Sequence, residues 1–222
     1  VGGTISYPIF RGDLKADEVT MNGVTLTKVH SLVYYENGIV TLDRTGFHQG
    51  EKGKVSARLH YDTQSDVLRG TMDVENFDVG ALLALGNQKE DRVGGAITSH
   101  IWIGGTRDNP SLGVTGEIDA GTVAGYPVTD AALDVSLSNH VLTIDRFTGK
   151  QGDGSFSASG TVDFNGMMDV DVTANDIALG LFTGLAGVDE PVSGTGSVTA
   201  HVGGTSHSPV ADVSLSAKNG GV

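Results

Sequence analysis

Apolar and polar residues alternate along most of this chain. In segment 55–61, Val55, Ala57, Leu59 and Tyr61 are apolar, while Ser56, Arg58 and His60 are polar. Leu133, Val135 and Leu137 oppose Asp134 and Ser136. Phe156, Ala158, Gly160, Val162 and Phe164 oppose Ser157, Ser159, Thr161 and Asp163. Met168, Val170 and Val172 oppose Asp169 and Asp171, and Val198, Ala200 and Val202 oppose Thr199 and His201. Successive strand side chains point to opposite faces, so each segment has one apolar and one wet face. That is the pattern of antiparallel sheet buried on one side. Turn pairs at Asn22-Gly23, Asn37-Gly38, Asn165-Gly166 and 152–154 punctuate the strands, which gives roughly six to seven strands per unit. Only 78–85 and 176–183 read as short helices, each opening on an Asp suited to cap it.

Helices this short cannot cover the apolar face. The expected fold is all-β: a long, mostly antiparallel sheet folded lengthwise into a groove with an apolar interior. A sandwich closed on itself is the other way to hide that face. The expected lining is Val33, Tyr35, Val40, Leu42, Val55, Leu59, Met72 and Val74 in the first half of the chain. In the second half it is Leu133, Val135, Leu137, Leu142, Ile144, Phe156, Val162, Phe164, Met168, Val170, Val172 and Val198. Large residues alternate here with Gly and Ala, and aromatics make up only 6% of the chain. An interior filled so loosely suits a flexible apolar ligand, since a dry core packs more densely.

The alternation sits on a repeat. GGTxxxP occurs at Gly2-Gly3-Thr4 with Pro8, at Gly104-Gly105-Thr106 with Pro110, and at Gly203-Gly204-Thr205 with Pro209. NGIVTLDR at 37–44 matches NHVLTIDR at 139–146. Asp73-Val74 and Asp78-Val79 match Asp171-Val172 and Asp176-Ile177. A fixed period of this kind marks stacked units that share a core. The expected division is 1–103, 104–202 and a third unit begun at 203–222. A chain that starts at Val1 without Met reads as a piece of a longer repeat protein.

Composition narrows the partners. The 33 glycines fit turns and bends in a β protein. With no cysteine there are no disulfides or thiolate metal sites. A net charge of −13 disfavours nucleic acid and anionic membrane surfaces, and keeps an extended sheet soluble. No HExxH, GxSxG or phosphate-binding loop occurs. Asp73, Asp169 and Asp171 read as the wet face of strands rather than a glycosidase pair. His201 and His207 read as solvated rather than as metal ligands. No catalytic residue, metal or cofactor is expected. Trp102 falls on the polar side of the Ile97, Ser99, Ile101, Ile103 alternation, as a packing residue or as a contact for a partner.

Several segments occur in a known order. GGTxxxP is followed by LGVTGEIDAGTV at 112–123, DAALDVSL at 130–137 and LTID at 142–145. GDGSFSASGTV at 152–162, NDIAL at 175–179 and GTGSVTA at 194–200 complete the series. In these segments the chain resembles the TamB/AsmA-like envelope proteins, specifically the C-terminal TamB-type repeats. The first unit departs at Gly50-Glu-Lys-Gly53 and at the bulky Tyr34-Tyr35. The resemblance implies a sheet folded like a taco, in a parent anchored in the inner membrane and spanning the periplasm. It implies phospholipid acyl chains as cargo and an Omp85-type outer-membrane barrel as partner. The competing expectation is a structural or interaction module with a closed core, either an outer-membrane protein assembly factor or the stalk of an adhesin.

Overall fold

The computed structural model describes residues 2–3, 8–87, 92–181 and 193–221. The fold is all-β and antiparallel, and the hydrogen-bonded order of the strands is the order of the chain. The strands are β1 (Gly2–Gly3), β2 (Pro8–Met21), β3 (Val24–Glu36), β4 (Ile39–Gln49), β5 (Gly53–Asp62), β6 (Val67–Asp78) and β7 (Val93–Gly105). They continue as β8 (Pro110–Val123), β9 (Tyr126–Ser138), β10 (Val141–Gln151), β11 (Gly154–Asp163), β12 (Met168–Ala178), β13 (Ser193–Thr205) and β14 (Ser208–Gly221). A short helix, α1 (Val79–Leu85), follows β6. No helix among the described residues is long and apolar enough to cross a membrane.

The chain divides into two compact units, Val1–Lys89 with Ile97–Val114, and Glu90–Ala96 with Thr115–Val222. The division passes through β7 and β8 rather than at the GGT motifs. Within each unit the same local features return. The bridge Val67 to Thr106 in unit one has its counterpart in Met167 to Thr205 in unit two. Asn76 N donates to Thr98 Oγ1, and Asp176 N donates to Ser197 Oγ. Gln49 Oε1 accepts from Asp78 N, and Gln151 Oε1 accepts from Ala178 N.

These bonds correct one detail of the repeat. Ala178, not Asp176, stands where Asp78 stands in unit one. Asp78 is the N-cap of α1 and accepts from Ala81 N at 2.8 Å. Asp176 instead lies inside β12 with φ 50°. Residues 179–181 are helical, without an Asp at the cap position, and the remainder of the expected helix lies outside the described residues.

The hairpin turns follow the Asn-Gly signals. Asn22 and Gly23 take φ 51° and 82°, and Asn37 and Gly38 take 52° and 83°. Two positive φ values in a two-residue loop match the twist of the flanking strands, which is why Asn-Gly is favoured there. In unit two the same turns are made by Ala124-Gly125 and Asn139-His140, also at positive φ.

A second set of positive φ values explains how each strand keeps its apolar residues on one side. Lys28, Arg44 and Asn76 take φ of 52°, 47° and 52° inside β3, β4 and β6. In β3 and β4 the pairing register shifts at these points. Each such residue is the extra member of a β-bulge, and it reverses the odd-even sense of the strand. Val24 and Leu26 therefore share a face with Val33 and Tyr35, and Val40 and Leu42 with Phe47. Val74 shares a face with Phe77 in the same way. Asp130 and Asp176, both at φ 50°, repeat the device in unit two.

Candidate functional site

Cross-strand partners show which residues share the apolar face, because directly opposed residues point the same way. In unit one, Tyr35 opposes Val40, Val40 opposes Tyr61, and Tyr61 opposes Leu68. The next row is Val33, Leu42, Leu59 and Gly70. Met72 opposes Ala57, and Val74 opposes Val55. In unit two, Leu137 opposes Leu142, Leu142 opposes Val162, and Val162 opposes Met168. Val135 leads to Ile144, Gly160, Val170 and Val202. Leu133 leads to Phe147, Ala158, Val172 and Ala200, and Phe156 to Ala174 and Val198.

Nineteen of the twenty expected lining residues thus lie on strands, with their side chains on one face of their own unit's sheet. They differ in cover. Val55 and Val74 are each 1% exposed and belong to a dry core. The other seventeen are half-buried. Phe164 departs from the expectation: β11 ends at Asp163, and Phe164 sits in the following turn, exposed, donating its N–H to His140 O at 3.0 Å. The turn starts here because Asp163 Oδ1 accepts from Asn165 N, which closes the chain on itself.

Each unit has a closed end and open rows. At the closed end of unit one, Val24, Leu26, Val55, Val74 and Phe77 are buried. Phe47 meets Phe77 edge to face with ring centroids 6.0 Å apart. The helix α1 is tied to the β2–β3 turn by Asn22 Nδ2, which donates to Ala84 O at 3.0 Å. At the closed end of unit two, Val128, Ala174, Ile177 and Leu181 form the buried cluster, with Val123, Tyr126 and Phe156 packed against it. Beside that cluster lies a pocket of about 150 Å³ walled by Val123, Val128, Phe147, Phe156, Val172 and Leu181, among others. No polar atom faces it.

Unit one also carries polar side chains on its apolar face. Ser31 Oγ and Thr45 Oγ1 are 2.7 Å apart and bonded to each other. Leu133 and Phe147, paired in the same way, hold these places in unit two. Ser99, also facing inward, is buried, and its Oγ has no hydrogen-bond partner.

The glycines are less of a void than composition implies. A Cβ on Gly149 would collide with the Phe156 ring, and a Cβ on Gly113 with the Trp102 indole. In both cases a large side chain reaches over a neighbouring strand's glycine, a known way to cover one. Trp102 is 42% exposed and packs on Gly113.

The wet face carries charged and hydrogen-bonded pairs. Arg58 Nε donates to Asp43 Oδ1 at 2.7 Å and holds that carboxyl below its ordinary range. His100 Nδ1 lies 2.7 Å from Asp73 Oδ1. His201 Nδ1 lies 2.9 Å from Asp171 Oδ1 and 3.8 Å from Asp169 Oδ1. The Asp171 hydrogen bond raises the His201 pKa, which is how a carboxylate favours imidazolium. Asp169, Asp171 and His201 are all exposed, and their ligand atoms lie within 4.8 Å of one another. Exposed pairs of this kind add little stability.

Strict alternation does not find Val24, Leu26, Phe47, Phe77, Val128 and Ile177, all at the closed ends. Each lies across a bulge from the alternating run of its strand. The signal was present as a reversal of alternation at Lys28, Arg44, Asn76, Asp130 and Asp176. No protein-family model, curated protein or solved structure matches this chain.

Proposed function

We propose that this chain is a lipid-conducting module that holds phospholipid acyl chains against the apolar face of its sheet. The observation that carries the reading is the contrast between the two ends of each unit. A structural stalk gains from covering apolar surface completely, since burial contributes about 25 cal/mol per Å². Here the closed ends are dry, yet the rows built on Val33, Leu42 and Leu59, and on Val135, Ile144 and Val170, stay half-exposed. Acyl chains gain about 0.8 kcal/mol per methylene removed from water, so a few methylenes on such rows hold a lipid.

The resemblance to TamB-type repeats supports the same reading and extends it. On that reading the module belongs to a parent anchored in the inner membrane, works in the periplasm, and meets an Omp85-type barrel. Phospholipid moves along the face with no catalytic step and no cofactor. The test is native mass spectrometry of protein purified from membranes without added lipid. Co-purifying phospholipid, displaced by an inward charge such as Val170→Arg, is the expected result. Lipid-free protein would favour the structural module instead.

A further inference from the structure

The two units carry corresponding registers but do not fill their closed ends alike. In unit one Phe47 opposes Val55, which opposes Val74, and Phe77 packs edge to face on Phe47. In unit two Gly149 opposes Phe156, which opposes Ala174, and Ile177 stands where Phe77 stands. Both aromatic rings of unit one are thus replaced, and unit two sets its own pair elsewhere: Phe156 stands at Val55's place and Phe147 at Thr45's, with ring centroids 5.6 Å apart. The far end of the Phe156 ring lies over Gly149. The space left beside it is the pocket of about 150 Å³.

We infer that this pocket in unit two is a binding site for the end of a hydrocarbon chain, and that unit one lacks the equivalent site. Its chemistry admits nothing else. With no polar atom at the wall, a polar group inside would lose its hydrogen bonds to water and gain none. An apolar cavity of about this volume is known to stay dry and to take one benzene, so the ligand end is about six carbons. The wall is held from several elements: Val123 on β8, Val128 on β9, Phe147 on β10, Phe156 on β11, Val172 on β12, and Leu181 after it. The inference deepens the lipid-binding reading and rests on it for the identity of the ligand. It makes the two repeats unequal: chain ends are held at unit two, and unit one only offers its rows.

Benzene is the probe, read by methyl resonances of the whole chain. Shifts at Val128, Val172 and Leu181 on adding benzene, with Val24, Val55 and Val74 unmoved, are the expected result. Equal shifts at both sets, or none up to the solubility limit, would overturn the inference. Ala174→Val copies unit one's Val74 into the wall and should weaken benzene binding at least tenfold. Gly149→Phe with Ile177→Phe copies the aromatic pair and should abolish it. If the double variant fails to fold, Ala174→Val decides, and undiminished binding there counts against the site. Benzene binding by protein that never carries phospholipid would keep the pocket and remove the lipid reading. Phospholipid without a benzene response would do the reverse.

Discussion

Phe47 and Phe77 meet edge to face at the closed end of unit one, whereas Gly149 and Ile177 hold those places in unit two. The strands, bulges and tethering glutamines around them correspond. Gln49 and Gln151 each accept from the backbone just before the helical turn, and Asn76 and Asp176 each break the alternation of their strand. What differs is which side chains project into a conserved geometry. One set makes a core and the other leaves room for a ligand. The backbone of such a repeat therefore fixes where an interior lies, while a few residues decide whether it is full.

The comparison breaks first at the aromatic residues. Phe77→Ala empties a fully buried position, and large-to-small changes of that kind cost about 3–5 kcal/mol. Phe156→Ala removes a half-buried ring that already borders a pocket, and should cost about half as much. Urea unfolding of the two variants measures the difference. Equal losses would mean that the closed ends are packed alike.

A smaller change sharpens it at Ser99. The hydrogen bond from Asn76 to Thr98 matches that from Asp176 to Ser197, so Ser99 corresponds to Val198. A buried hydroxyl without a partner costs about 1–3 kcal/mol. Ser99→Val should therefore stabilise the protein by about 1–2 kcal/mol, visible as a higher denaturation midpoint. The turns respond on a lesser scale. Ala124 holds φ 50° where unit one has Asn22, and left-handed backbone costs a non-Gly residue about 1–2 kcal/mol. Asn tolerates it better, so Ala124→Asn should add about 0.5–1 kcal/mol, read in the same assay.

The smallest effect is on the wet face. His201 should titrate above its ordinary value of 6.5, because the imidazolium is held by Asp171. A raised folded pKa means that the bond's contribution is fully present below 6.5 and is lost as pH rises through the raised value. Asp171→Asn should bring the NMR midpoint of His201 down. An unchanged midpoint would remove Asp171 as the cause.

Much of the fold was legible because period two was intact where it was read. Leu133, Val135 and Leu137, or Met168, Val170 and Val172, run without interruption, and their face follows from counting. Phe77 was not legible for the opposite reason. Asn76 inserts one residue, so Phe77 falls on the wrong side of a strict alternation begun at Met72 and Val74. The repeat alignment failed at the same place. Matching Asp78 to Asp176 followed residue identity, but the hydrogen bonds match Asp78 to Ala178. Phe164 fits the parity of β11, whereas the Asp163-Asn165 contact has already turned the chain. The pocket needed side chains in three dimensions, since it exists through where the Phe156 ring lies rather than through any motif.

The central claim is that lipid contacts one face of the sheet and not the other. Val170 and Asp169 are neighbours on β12, one half-buried on the apolar face and the other exposed on the wet face. A photo-reactive amino acid placed at each in turn, with irradiation in cells, compares the faces at nearly one position in the chain. Phospholipid adducts at 170, and at 137 on β9, with none at 169, are the expected result. Equal labelling at 169 and 170, or no lipid at either, would contradict it.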